Sequence, residues 1–381
     1  MPIDFSKIPT PCYLIDEALL RKNLRLIQSI KEAAGVDIIL AFKGFSMWKV
    51  FPIVREYISG AAASGAFEAK LAADEMKTLA HTYSPAFQHS DFNEVMANSS
   101  HITFNSLSQF NEFFPVVNNF HRKISIGIRV NPEFSEVGTA LYNPCAPGTR
   151  LGVLSGQLGD KLPEGVEGLH FHTLCESDAA DLEKTLFAFE TKFGIYLNHV
   201  KWVNMGGGHL MTRAGYDTEK LISILRNFRQ RWPGIKVILE PGSAFAWETG
   251  ILIANVVDLV DNQGIKTAVL NVSFTAHMPD CLEMPYKPRI RGAYHEPVDG
   301  KPTYRMGGNS CLAGDFIGFW SFDNKLNPGD QIIFEDMIHY TIVKSSMFNG
   351  VPHPAIGMWT KNEEFKLLRS YDYLDYKNRM A

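Results

Sequence analysis

Val200-Lys201-Trp202-Val203-Asn204-Met205-Gly206-Gly207-Gly208 reads as a short apolar strand that runs straight into three glycines. Lys236-Val237-Ile238-Leu239-Glu240-Pro241-Gly242 repeats the form further on. Outward from these two, one theme recurs between about Asp16 and Glu248: an apolar run, a polar or glycine-containing turn, then an amphipathic stretch. The other candidate strands are Ile38–Phe42, Gly60–Ser64, Leu79–Tyr83, His101–Asn105, Ile124–Val130 and Gly168–His172. Eight such runs with helical returns are the count for a (β/α)8 barrel. An open, doubly wound parallel sheet is the competing reading of the same alternation.

The returns carry helical signals. Ala69, Ala72, Ala73, Met76 and Leu79 lie at helical spacing with charges between them, and Asp178 is placed to cap a helix running to Phe193. After Thr249 the texture changes. Gly250–Val260, Thr267–Phe274 and Gln331–Val343 are β-rich runs separated by turn clusters such as Asp261-Asn262-Gln263-Gly264 and Asn327-Pro328-Gly329-Asp330. The expected organisation is therefore a TIM-like α/β barrel over 16–249 and a mostly β domain over 250–381. The N-terminal segment 1–15, with strand Cys12–Ile15, is expected to join the β domain.

Composition narrows the function classes. The 381 residues are 45% hydrophobic and 20% charged, the profile of a globular chain. A net charge of -4 without a basic run argues against a nucleic-acid footprint. Ile251–Val260 is too short to span a bilayer and carries Asn255 and Asp258. Asp4, Pro9 and Pro11 interrupt the place where an export signal needs an apolar core, so a cytoplasmic protein is expected. The five cysteines (Cys12, Cys145, Cys175, Cys281, Cys311) are widely spaced and form no CxxC pair.

In a barrel the strand ends converge on one mouth, where the chemistry of this fold lies. Here they bring Lys43, Asn105, Arg129, Asn131, His172, the Gly206–Gly208 run and Glu240-Pro241-Gly242. A lysine emerging from the apolar run Ile38–Phe42 would be partly desolvated, and its free amine could form a Schiff base; a strand-end lysine reaching solvent is the competing reading. Glycines after strand seven let bare N–H groups approach a phosphate, although a plain flexible turn has the same sequence. Glu240 at an apolar strand end needs a cationic partner, which a protonated pyridine nitrogen or Arg129 could supply. His170 and His172 alternate and so face the same way; without further ligands in the pattern, no metal is expected. Lysine, phosphate loop and buried glutamate together describe a pyridoxal 5′-phosphate site.

At this point the chain resembles the fold type III pyridoxal-phosphate decarboxylases. This is the group of ornithine decarboxylase, diaminopimelate decarboxylase and alanine racemase. The matching pieces are Ala41-Phe42-Lys43, Phe171-His172, Gly206-Gly207-Gly208, Glu240-Pro241-Gly242, Gly308-Asn309-Ser310-Cys311 with Asp315, and Phe334-Glu335-Asp336-Met337 followed by Tyr340-Thr341. Pro11-Cys12-Tyr13-Leu14-Ile15-Asp16 and His170-Phe171-His172-Thr173-Leu174-Cys175-Glu176 resemble the branch that acts on carboxynorspermidine and carboxyspermidine in polyamine synthesis.

The resemblance implies a set of roles. Lys43 would hold the cofactor's aldehyde, His172 would stack on its ring, and Arg129 would lie near it. Glu240 would pair with the ring nitrogen, and Gly207, Gly208, Gly242 and Tyr340 would hold the phosphate. Cys311 would reach in from the partner subunit of a homodimer and return a proton. Two departures stand out. The family's frequent EPGR reads Glu240-Pro241-Gly242-Ser243, and the acidic residue that often follows the cysteine is Leu312. A polycationic substrate tail calls for carboxylates, and Asp315, Asp280, Glu248 and Glu176 lie near the matched motifs. Decarboxylation of diaminopimelate, ornithine or arginine, racemisation, and a non-catalytic cofactor-binding homologue are the rival readings.

Overall fold

A computed structural model describes residues 3–381, which divide into two compact units, Asn23–Phe245 and the segment ending at Lys22 with Ala246–Ala381. The strands in chain order begin with β1 (Cys12–Asp16), β2 (Asp37–Ile38), β3 (Leu40–Ala41), β4 (Ala61–Ala63), β5 (Ala80–Tyr83) and β6 (Ser99–Phe104). They continue with β7 (Ser125–Arg129), β8 (Val166–His170), β9 (Trp202–Asn204), β10 (Lys236–Leu239), β11 (Gly250–Asn262) and β12 (Ile265–Leu270). The last are β13 (Ala293–Tyr294), β14 (Thr303–Gly307), β15 (Phe316–Phe322), β16 (Gln331–Glu335), β17 (Ala355–Trp359) and β18 (Phe365–Arg369).

In Asn23–Phe245, β3 to β10 pair in parallel in sequence order and β10 pairs back onto β2. β2 and β3 are two stretches of one strand that changes partner at Ile39. The Ile39 N–H donates to the Leu239 carbonyl at 2.9 Å, and the Leu40 N–H to the Gly60 carbonyl at 3.1 Å. That switch closes the sheet, so the unit is a (β/α)8 barrel, with no free edge. The open-sheet reading is thereby excluded.

One indole from β9 anchors the barrel interior. Trp202 packs with Ile39, Ala41, Ala62 and Ile238. A side chain at Gly168 would place Cβ 2.0 Å from the Trp202 ring, and one at Gly127 would place it 2.3 Å away. These two glycines make room for an indole, a packing reason unrelated to turns. Beside the indole, His81 and His101 stack with ring centroids 3.8 Å apart. Asp178 caps the helix Ala179–Phe193 as expected, its Oδ1 accepting from the Ala180 and Asp181 N–H groups at 2.8 and 3.1 Å. The helical spacing Ala69 to Leu79 holds only in part. Helix Ala66–Leu71 widens into a π turn, Ala72–Met76, and stops at Lys77, whose φ is +55°.

In the second unit β11 is the spine. Its buried first half lies between β1 and β16, and its exposed second half makes a hairpin with β12. The hairpin turns at Gln263 (φ +52°) and Gly264 (φ +80°), the double positive φ that matches strand twist. β1 joins this sheet antiparallel to β11 and parallel to β17. The run expected over Gln331–Val343 is a strand only to Glu335. Asp336 and Tyr340 take φ of +61° and +45°, which no strand accommodates.

Candidate active site

The C-terminal ends of the barrel strands bring Lys43, His172, Arg129, Glu240 and the glycine run to one mouth. The His172 ring fixes the proton inventory there. The Gly207 N–H, which can only donate, points at His172 Nδ1 at 2.9 Å. A neutral ring therefore carries its proton on Nε2. Burial, with Lys43 and Arg129 adding to it, pushes the His172 pKa well below its ordinary value, so the ring is neutral. Nε2 lies 3.1 Å from Lys43 Nζ and must donate to it. Only an uncharged amine can accept that bond. Lys43 is reachable by solvent within the mouth. Even so, the surrounding protein lowers its pKa by desolvation, and the Arg129 charge lowers it further. Hydrogen-bond geometry and electrostatics thus agree on a nucleophilic amine.

Arg129 does not pair with Glu240. Its Nη2 donates to the His172 carbonyl at 3.1 Å, and its guanidinium lies 4.7 Å from the Tyr83 ring centroid. The Tyr83 hydroxyl donates to Asn105 Oδ1 at 2.8 Å, and Asn105 Nδ2 donates to the Arg150 carbonyl at 2.8 Å. Asn105 thereby pins the returning end of the loop that follows β7. Asn131, also at the end of β7, accepts from the Glu133 N–H at 2.7 Å.

Glu240 accepts from Asn204 Nδ2 at 2.5 Å through Oε1. Its Oε2 lies 3.8 Å from His170 Nε2, and burial holds that imidazole neutral. Among the described residues no lysine or arginine forms an ion pair with Glu240. Burial pushes its pKa up to about 6 despite the Asn204 bond. An inward carboxylate with one unclaimed oxygen suits a protonated ring nitrogen.

The glycine run is not a flexible turn. A Cβ at Gly206 (φ +71°) would meet the Phe171 carbonyl oxygen at 2.5 Å. One at Gly207 would meet the Glu240 carbonyl oxygen at 2.4 Å, and one at Gly208 (φ +89°) that of Leu174 at 2.2 Å. Gly242 touches Gly44: a Cβ on Gly44 would lie 2.8 Å from the Gly242 Cα, and one on Gly242 would lie 3.0 Å from the Gly44 Cα. The Gly206 N–H is taken by Asn204 Oδ1 at 2.9 Å and that of Gly207 by His172. The N–H groups of Gly208, Gly242 and Ser243 have no partner among the described residues. Unpartnered donors beside side-chain-free backbone fit a phosphate. The residues present therefore fit pyridoxal 5′-phosphate from ring nitrogen to phosphate. No group of three metal-ligating side chains occurs among the described residues.

The remaining candidates have these places. Glu176, on the barrel, is exposed with φ +49°, and its carbonyl accepts from Arg213 at 3.1 Å. In the β unit Cys311 is exposed, its N–H donating to Asn349 Oδ1 at 2.9 Å. Asp315 is buried and accepts from the N–H groups of Phe274, Thr275 and Ser310 at 2.8, 3.1 and 3.1 Å, so it builds the Cys311 loop. Asp280 Oδ2 accepts from Tyr286 and Thr341 at 2.8 and 2.9 Å and braces the turn that carries Tyr340, while its Oδ1 is buried without a partner. Glu248 pairs with Arg289 at 2.9 Å. Sequence reasoning missed Asn204 and Tyr83, since each reads as an ordinary strand residue; only their position at a strand end could have flagged them.

The family described as "Pyridoxal-dependent decarboxylase, C-terminal sheet domain" matches residues 12–338. The chain is 48% identical to carboxyaminopropylagmatine decarboxylase of Synechocystis sp., covering 99% of this chain and 96% of that protein. It is 43% identical to carboxynorspermidine/carboxyspermidine decarboxylase of Campylobacter jejuni, covering 98% and 99%. The crystal structure of carboxynorspermidine decarboxylase from Campylobacter jejuni, complexed with norspermidine, superposes with a TM-score of 0.90 at 41% identity, covering 98% of this chain and all of that one.

Proposed function

Since the chain belongs to the pyridoxal-dependent decarboxylases, an enzyme family that works with pyridoxal 5′-phosphate, we propose that it removes the α-carboxylate of a carboxylated polyamine, carboxynorspermidine or carboxyspermidine. The observation that carries the substrate is likeness over nearly the whole chain to the Campylobacter protein of that name. The bound cofactor supplies an electron sink for the electrons of the breaking carbon–carboxylate bond. Lys43 holds its aldehyde; a lowered pKa and the His172 contact favour the uncharged amine, the form that can do so. His172 covers the ring, Arg129 fixes the His172 backbone, and Glu240 retains the proton of the ring nitrogen. Gly207, Gly208, Gly242 and Tyr340 cradle the phosphate, with Gly207 contributing its bare Cα because its N–H already serves His172. Cys311, from the second copy of a homodimer, returns a proton to the substrate carbon. We read the enzyme as cytoplasmic.

The substrate tail carries ammonium groups that carboxylates hold by charge-assisted hydrogen bonds. Asp280, Asp315, Glu248 and Glu176 are the candidates; Asp315 and Glu248 are engaged within the β unit, and Asp280 keeps one oxygen, Oδ1, without a partner. A second reading is carboxyaminopropylagmatine, favoured by the Synechocystis relative. The test compares kcat/KM, by CO2 release, for carboxynorspermidine, carboxyspermidine, carboxyaminopropylagmatine, ornithine and diaminopimelate. One of the first two should exceed ornithine and diaminopimelate by on the order of 10²–10⁴, since two charge-assisted bonds contribute roughly 3–6 kcal/mol. A clear preference for carboxyaminopropylagmatine establishes the second reading. Parity with diaminopimelate or ornithine overturns both.

A further inference from the structure

Asn204 ends β9, the second-last barrel strand, and is buried to 2% exposure, yet both ends of its amide are used. Oδ1 accepts the Gly206 N–H at 2.9 Å, and Nδ2 donates to Glu240 Oε1 at 2.5 Å. The backbone N–H removes the ambiguity of the amide, because only its oxygen can face Gly206. The donor end must then face the carboxylate. One short side chain thus bridges the acid at the bottom of the mouth and the first residue of the glycine run, which itself sits at φ +71°.

Resting on the reading that the mouth holds pyridoxal 5′-phosphate, we propose that Asn204 is a positioning residue: it aims Glu240 at the ring nitrogen and ties that carboxylate to the head of the phosphate loop. With Oε1 occupied by Asn204, Oε2 is the oxygen left for the ring. The Asn204 bond also opposes the burial that pushes the Glu240 pKa up to about 6, and so keeps the carboxylate ionised at neutral pH. Its other bond holds Gly206 in a backbone conformation that leaves the Gly208 N–H free.

Asn204→Asp separates the two bonds. It keeps the size and the acceptor for Gly206 but loses the donor. Two carboxylates at this distance cannot both ionise, so the pair retains one proton until the pH rises past its second ionisation. Below that point the new acid can donate to Glu240 as the amide does. At pH 8, kcat should fall on the order of 10- to 100-fold with KM within about threefold, as for loss of one hydrogen bond to a charge. It should recover partly as the pH is lowered. The pH at which the absorbance of the bound cofactor titrates should move in the same variant. Asn204→Ala should lose activity at every pH. Protein stripped of cofactor and titrated with pyridoxal 5′-phosphate should bind more weakly as Asn204→Ala than as Asn204→Asp, because only Ala also frees Gly206. Acid recovery and a moved absorbance titration in Asn204→Asp support the proposal. A loss independent of pH with an unmoved titration, or wild-type behaviour in both variants, overturns it. If wild-type protein takes up no pyridoxal 5′-phosphate, the reading of the site fails as well, and this separates the two failures.

Discussion

Lys43 shows how far a single residue can be read. Its place after an apolar run predicts a desolvated amine. The structure adds the reason for its chemistry: a Gly207 N–H dictates the His172 tautomer, and that tautomer dictates an uncharged lysine. Lys43→Ala should abolish the borohydride-reducible attachment of cofactor seen in the wild type, checked by mass spectrometry after reduction. A reducible link surviving in the variant would move the attachment elsewhere. Glu240 makes a second case. An ion pair at about 4 Å contributes on the order of 4 kcal/mol at an effective dielectric near 20, enough to hold a ring proton at neutral pH. Glu240→Gln should therefore lower kcat far more than it raises KM, measured by steady-state kinetics. The Glu240 pKa is raised to about 6, so the acid is ionised above that pH and protonated below it. Cofactor uptake by stripped wild-type protein should accordingly weaken as the pH falls through about 6, and that dependence should vanish in Glu240→Gln.

Among the elements, the barrel strands are short, three to six residues each for those that are not split, and much of their specification lies in what fills the space between them. Gly127 and Gly168 answer to Trp202, and His81 stacks on His101 from the neighbouring strand. That histidine pair makes the barrel acid-sensitive. Desolvation lowers the His101 pKa to about 4 and that of His81 well below its ordinary value. Both groups bind a proton more readily unfolded than folded. Their neutral forms are fully stabilised above the ordinary value of 6.5, and stability is lost as the pH falls from 6.5 towards 4. For His101 alone the loss is on the order of 3 kcal/mol across that window. His101→Phe should flatten the acid limb of a Tm-against-pH curve between those limits. A limb as steep as wild type would place the acid sensitivity in other groups.

For the whole molecule, the barrel residues proposed to hold the cofactor and Cys311 belong to different compact units, and Cys311 lies on an exposed loop held by Asn349 and Asp315. In a homodimer with shared sites, Lys43→Ala and Cys311→Ala each inactivate a different half of the site. Mixing the two inactive proteins should restore up to about a quarter of wild-type activity, as some heterodimers regain one intact site. The readout is CO2 release after subunit exchange has been verified by differential tagging. No recovery would place Cys311 and Lys43 of one chain in the same site.

Periodicity and strand-end chemistry in the sequence determined eight β-runs with helical returns and the residues at their ends, while the partner switch at Ile39 decided for a closed barrel over an open sheet. Those signals are local: an apolar run needs burial, and a lysine or glutamate at its end has one place to go. The sequence could not tell why Gly206–Gly208 are glycines, because the obstacles are the carbonyls of Phe171, Glu240 and Leu174, brought near only by folding. It left Glu240 between a ring nitrogen and Arg129, and only the packed barrel turned Arg129 onto the His172 carbonyl and set Asn204 against the acid. It extended the run from Gln331 to Val343 as a strand, since apolar pattern carries no information about the positive φ at Asp336 and Tyr340. Partners distant in sequence cannot be read from one stretch of it; close packing and hydrogen-bond satisfaction choose them, and both exist only once the chain has folded.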